Sequence, residues 1–175
     1  MKIISCQLLV LCCLLFASCN PTTPEYYFDI AVLNTNMLTG FASDGLAREL
    51  ESASEKLDPA TGKAVPMLRK EEMKQKIQFL DEGFAKLKDL KETPDTKEML
   101  QSSIALYEYV LPVYKKDYME LANLYDQGAG KEKTESMAES IHQKYYPKFD
   151  ELYKKVTNVG KQYADRHSIK VNWGG

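Results

Sequence analysis

Residues 100–125, LQSSIALYEYVLPVYKKDYMELANLY, decide the fold. Leu100, Ile104, Tyr107, Leu111, Tyr114, Tyr118, Leu121 and Tyr125 recur at alternating steps of four and three. A seam kept over more than three such repeats is the mark of an amphipathic helix packed along others of its kind. Thr93-Pro94 precedes it with a helix-start signature, proline at the first helical position, and Gly128-Ala129-Gly130 ends it, since glycine accepts the left-handed backbone of a helix cap.

Similar patterns lie on either side. Met73, Ile77, Leu80, Phe84 and Leu87 predict a helix over about Met67 to Lys91. Ile141, Tyr145, Phe149, Leu152, Val156, Val159 and Tyr163 predict another over Thr134 to Arg166. A further helix is expected from Pro24 to Leu57, with Thr23 as N-cap and Glu25 in the first turn. Its stripe (Ile30, Leu33, Met37, Phe41, Leu46, Leu50, Leu57) changes face near Gly40 and Gly45, so it is the least regular of the four. Asp58-Pro59-Ala60-Thr61-Gly62 reads as a loop. No strand pattern competes before the tail. The expected fold is all-α, an up-down-up-down four-helix bundle over 24–167 with rods of roughly 40–50 Å. An extended tail follows over 168–175. An even number of helices puts the N-terminal start and the tail at one end.

Pro112 and Pro147 stand inside predicted helices, where each removes a backbone donor and predicts a kink. The kink either bends the bundle or opens a groove.

Residues 1–18 carry the strongest targeting signal. Lys2 gives a positive start, and Ile3 to Phe16 is an apolar run broken by Ser5 and Gln7. That run is shorter than the about 20 residues of a membrane-spanning helix and fits the hydrophobic core of a secretory signal. It ends in Phe16-Ala17-Ser18-Cys19, which resembles the lipobox of bacterial lipoproteins, with Phe16 where the pattern usually has leucine. The resemblance implies cleavage before Cys19 and lipid on that cysteine, with 19–23 as lipidated residue and short tether. Asn20 is not the aspartate that retains lipoproteins at the inner membrane, which implies an outer-membrane address. The surface or periplasmic side stays open. Each buried methylene contributes about 0.8 kcal/mol, so a three-chain anchor is effectively permanent. The residues from Asn20 to Thr23 reach at most about 14 Å, which sets the domain close to the membrane.

Composition limits the chemistry. All four cysteines (Cys6, Cys12, Cys13, Cys19) lie in or at the end of the signal, so the mature domain has no disulfide and no thiolate metal site. The hydrophobic share of 44% against 27% charged fits a folded domain. A formal net charge of −2, one unit more negative without Lys2, argues against a nucleic-acid partner. No Gly-x-Ser-x-Gly, phosphate-cradling loop or Cys-x-x-Cys-His occurs. Glu139-Ser140-Ile141-His142 is one Glu-x-x-His, whereas di-iron bundles use two, and the residue three before His167 is Ala164. A metal-binding reading through Glu139 and His142 therefore stands as an alternative that lacks half its ligands. Met37 and His167 as haem ligands would be offset by roughly 15–20 Å along antiparallel helices.

Three stretches resemble a family of small helical-bundle bacterial surface lipoproteins of unassigned biochemical role. They are Asp81-Glu82-Gly83-Phe84 through Leu90, Leu106-Tyr107-Glu108-Tyr109 through Tyr118, and Tyr146 through His167. The resemblance implies a lipid-anchored helical domain and no catalytic residue. The chain thus reads as a non-enzymatic binding or structural module of the envelope, without cofactor, with a protein or glycan partner. The alternative is a carrier with a ligand in a groove of the bundle. Tyr107, Tyr114, Tyr118 and Tyr125 would be core or line such a groove. In the tail, Ile169, Val171 and Trp173 alternate with polar residues. Either the tail plugs the bundle end, or Trp173 joins Tyr26, Tyr27 and Phe28 in an aromatic collar at the membrane interface.

Overall fold

The computed structural model describes residues 23–173. The chain is mostly helical, and the described residues hold no helix long and apolar enough to cross a membrane. Cys19 and the segment before it lie outside the described residues.

The helices are α1 (Pro24–Ala31), α2 (Asp44–Glu51), α3 (Arg69–Lys88), α4 (Lys97–Val113), α5 (Met119–Asp126) and α6 (Lys131–Arg166). A π turn, Tyr114–Tyr118, joins α4 to α5 in one rod, and a two-stranded hairpin, β1 (Ser54–Leu57) and β2 (Ala64–Met67), precedes α3. Cross-contacts fix the directions. Asp126 meets Arg69 and Lys115 meets Asp81, so α3 runs antiparallel to the α4–α5 rod. Asp95 meets Arg166 and Tyr109 meets Tyr145, so α6 runs antiparallel to it as well.

The rod forms the middle of the domain. Leu106, Tyr107, Val110, Leu111, Tyr114, Tyr118, Leu121 and Ala122 are all buried, a wider band than the heptad seam alone. The stripes of α3 (Met73, Leu80, Leu87) and α6 (Ile141, Phe149, Val156, Val159, Tyr163) close on it from two sides.

The single helix expected over Pro24–Leu57 is not formed. α1 starts as the sequence indicates, with the Thr23 hydroxyl accepting from the Tyr26 N–H at 3.3 Å and proline in the first turn. It stops at Ala31, and Leu33–Leu38 continues as a tighter 3₁₀ turn. Three hydroxyls in this region bond back to carbonyls three residues earlier: Thr35 to Val32, Thr39 to Asn36 and Ser43 to Gly40. Such local bonds offer the backbone an alternative to the α ladder. Ala42 then takes a left-handed φ of 48°, and Ser43 caps a new helix. The changed path exposes Leu33 and Leu57, both placed on the inward stripe by the sequence.

The hairpin is a second departure, since no strand was expected there. The Asp58–Gly62 loop is its turn: the Asp58 carboxylate accepts from the N–H groups of Ala60 (2.7 Å) and Thr61 (3.1 Å), and Gly62 has a φ of 65°. Ser52 breaks α2 with extended backbone, which leaves Ser54–Leu57 free to pair with Ala64–Met67. Ser54 and Lys56 bond Glu72 and Glu71 at the start of α3.

α3 has leucine, not a polar residue, at its N-cap. The cap comes from another helix: the Asp126 carboxylate accepts from the backbone N–H groups of Arg69 (2.9 Å) and Lys70 (3.0 Å). The four orphan donors of a helix start and its positive dipole end make this a favourable place for a carboxylate.

At the other pole, Asp95 accepts from Arg166 (3.2 Å) and lies 2.6 Å from the His167 ring. His167, then Arg166, hold the Asp95 carboxyl below its usual range. The tail folds back there. Ser168 is left-handed with a φ of 56°, and Ile169, Val171 and Trp173 pack on the core while Lys170 and Asn172 face outward.

Candidate functional site

A broad concavity lies beside the π turn. Pro112 has no N–H to give the preceding turn, and the rod resumes through the wider π turn over Tyr114–Tyr118. Such turns insert one residue into a helix and recur at functional sites. Here Asp117 and Glu120 face the first half of α6, and a groove of about 640 Å³ lies between them. Leu124, Met137, Ile141 and Tyr145 supply its apolar surface. Glu132, Lys133 and Lys144 add charges of both signs on the rim.

Tyr145 links the walls. Its hydroxyl donates to Asp117 at 3.2 Å, its carbonyl accepts from the Tyr109 hydroxyl at 3.1 Å, and the Lys144 ammonium lies 4.7 Å from its ring centre. Burial, with Tyr145 beside it, raises the Tyr109 hydroxyl above its ordinary pKa. The Ser140 hydroxyl donates to the Ser136 carbonyl at 2.8 Å and so is committed to its own helix. The groove combines an apolar surface, charges of both signs and a tyrosine edge. No histidine is among its lining residues.

The two prolines do not share this groove. Pro112 borders a separate recess with Phe84 and Lys88 on the α3 side. Pro147 sits within α6, which runs unbroken from Lys131 to Arg166. Of the two readings of the prolines, a recess does border Pro112, whereas α6 passes Pro147 without a break.

The residues singled out for metal chemistry have other partners. His142 Nδ1 lies 2.6 Å from the Ala42 carbonyl, and a carbonyl only accepts, so Nδ1 carries the proton. The ring stacks on Tyr146, with centres 5.0 Å apart. Glu139 accepts from Gln143 at 2.7 Å. Among the described residues no three His, Cys, Asp or Glu side chains come together as a metal site. Met37 packs near Gly83 of α3, whereas His167 pairs with Asp95 at the far end of α6.

Compared with family models, with curated proteins and with solved structures, the chain matches none. Its site must therefore be read from its own geometry.

Three of the four stripe tyrosines are core, while Tyr125 is half-buried and borders a recess with His142. Tyr107, Tyr114 and Tyr118 are buried, and burial pushes the Tyr107 hydroxyl up to about 12 and the other two further. Tyr118 holds the strained corner: its hydroxyl accepts the Ala42 N–H at 2.8 Å. Ala42 is therefore gripped on both backbone groups, by Tyr118 and by His142. The aromatic collar is corrected too. Phe28 is fully buried and Tyr27 nearly so, with its hydroxyl donating to the Lys91 carbonyl at 2.9 Å. Trp173 packs edge-on against Phe28 at 5.7 Å, which leaves Tyr26 as the exposed member.

Two features had no sequence signal strong enough to find them. Asp126 follows the heptad seam as one more surface acid, and its capping partner is 57 residues away. Ala42 looks like any helical alanine until the chain is seen to turn there.

Proposed function

We propose that this chain is a bacterial envelope lipoprotein, held by lipid on Cys19 and directed to the outer membrane, whose four-pass helical bundle is a non-enzymatic binding module. The lipobox-like Phe16-Ala17-Ser18-Cys19 after a short apolar run supports the anchor. The observation that carries the binding role is the groove beside the π turn. It is preformed, it lies in the size range of about 300–1,000 Å³ usual for ligand sites, and it mixes apolar floor with oriented polar groups.

Anchor and groove are tested separately. Labelled palmitate fed to cells should enter the wild-type chain and not a Cys19→Ala variant; equal labelling of both would remove the anchor. For the groove, a photo-crosslinking amino acid at position 137 should give one discrete adduct in intact cells, with position 79 on exposed α3 surface as control. Identical products from both positions, or none from 137, would remove the groove as the binding face. Protease treatment of intact cells then places the domain on the surface or the periplasmic side.

A further inference from the structure

The hairpin has one edge closed and one open. The Asp58 N–H donates to the Lys63 carbonyl at 2.8 Å, which fixes the phase of the ladder above the turn. Bonded and non-bonded pairs alternate along an antiparallel ladder. Lys56↔Val65 and Ser54↔Met67 are therefore bonded pairs, and Leu57↔Ala64 and Glu55↔Pro66 are not. The N–H and C=O groups of a non-bonded pair point away from the facing strand, to the two outer edges. On the β2 edge Pro66 has no N–H to offer, and proline is one of the devices by which edge strands resist pairing. On the β1 edge Glu55 and Leu57 both present N–H and C=O, and neither backbone has a partner among the described residues.

The two faces of the hairpin differ. Its inner face is committed to α3: Ser54 and Lys56 bond Glu72 and Glu71, and the Gln75 amide reaches the Met67 sulfur at 3.9 Å. Its outer face carries Glu55, Leu57, Ala64 and Pro66, all exposed, with Leu57 at 72%. The Glu55 carboxylate has no ion pair or hydrogen bond among the described residues. An added strand would lay alternate residues over this face, because strand side chains repeat every two positions. One would stand beside Glu55 and the next but one beside Leu57. Opposite charges across a sheet stabilise it and like charges destabilise it. The strand that fits thus has a basic and an apolar residue two positions apart. A second copy of β1 fits poorly. Antiparallel pairing through Glu55 and Leu57 of both copies would set the two Lys56 side chains against each other. Centring the pairing on Leu57 would instead bring Glu55 opposite Pro59, which cannot donate.

We propose that the free edge of β1 receives an extended segment of another protein as a third strand, with a basic residue beside Glu55 and an apolar residue beside Leu57. Ladder bonds supply the affinity and the two side chains supply the choice, as in other strand additions. β1 is four residues long, so a single contact of this kind is weak and reversible. The edge uses no residue of the groove beside the π turn and does not depend on it.

The probe is a fluorescein-labelled peptide reading threonine, lysine, threonine, valine, threonine, lysine, threonine, which offers the same pattern in either strand direction. Its anisotropy would be followed as detergent-solubilised full-length protein is added. The expected result is saturable binding, weakened more than tenfold when both lysines are replaced by glutamate or when the valine nitrogen is methylated. Leu57→Pro removes an N–H that points outward, as Pro66 already does on β2, so the hairpin keeps its ladder. It should weaken binding more than tenfold with unaltered circular dichroism. Glu55→Lys should invert the preference, so that the glutamate peptide binds better than the lysine one, a result that mere damage to the hairpin would not give. No saturation up to about 1 mM protein would overturn the proposal. So would equal binding of the lysine and glutamate peptides, binding untouched by Leu57→Pro, or a charge preference that Glu55→Lys fails to invert.

Discussion

The hydroxyl of Tyr118 accepts the backbone N–H of Ala42 at 2.8 Å across 76 residues of sequence. Ala42 has a φ of 48°, which L-residues with a Cβ adopt at a cost of about 1–2 kcal/mol. Tyr118→Phe would leave a buried N–H unpaired and should destabilise the domain by about 1–3 kcal/mol in urea unfolding. Ala42→Val should cost more, because a β-branched side chain fits this backbone poorly. If Tyr118→Phe is neutral, the corner is held by other contacts and the assignment fails.

Gly160 of α6 packs directly against Val32. A Cβ at 160 would stand 2.8 Å from one Val32 methyl and 3.0 Å from the other. Gly160→Ala gains up to about 1 kcal/mol of helix propensity. Overpacking of a stiff neighbour costs about 1–3 kcal/mol, so the net change should be destabilising. The pair Val32→Ala with Gly160→Ala should recover part of that loss. Strict additivity in the double-mutant cycle would show that the two residues do not meet.

Asp126 caps a helix that lacks its own cap. Asp126→Ala should lower stability by about 1–3 kcal/mol, since it strips the backbone donors of Arg69 and Lys70 of a mostly buried carboxylate. Hydrogen exchange at Lys70 should rise more than at residues in the middle of α3. Uniform acceleration along α3 would point to general loosening instead.

The buried tyrosines set an alkaline limit. Tyr107 titrates at about 12 in the fold, against 10.0 for an ordinary tyrosine, because burial disfavours the phenolate. Tyr114 and Tyr118 shift the same way for the same reason. A folded pKa above the unfolded one contributes stability in full below the unfolded value, and loses it as pH rises toward the folded value. The urea midpoint should therefore hold up to about pH 10 and fall between about 10 and 12. Tyrosinate absorbance should show a late fraction that appears together with unfolding. Loss of stability well below pH 10 would mean that other groups govern it.

The sequence made the periodic parts legible and left the interrupted part obscure. The seam from Leu100 to Tyr125 located the central rod, because its period is carried by burial and burial is what the core needs. The stripes of α3 and α6 were legible for the same reason. Pro24–Leu57 misled because Leu33 and Leu57 fit a helical count while Thr35, Thr39 and Ser43 bent the backbone away from it. The hairpin was hidden because its strands are four residues each and mostly exposed. The groove was half legible: Pro112 marked a disturbed helix, but the groove lies beside the π turn that follows it.

The hairpin also gives the domain a front. Tyr27 touches Lys91 at the end of α3, whereas β1 and β2 precede the start of that helix, 20 residues and about 30 Å away. Residue 23 and the hairpin therefore occupy opposite poles. Under the proposed anchor at Cys19, the exposed Leu57, Gly62 and Leu68 lie at the pole away from the membrane. Antibodies raised against the native domain should accordingly recognise this tip first, and variation among related strains should gather there.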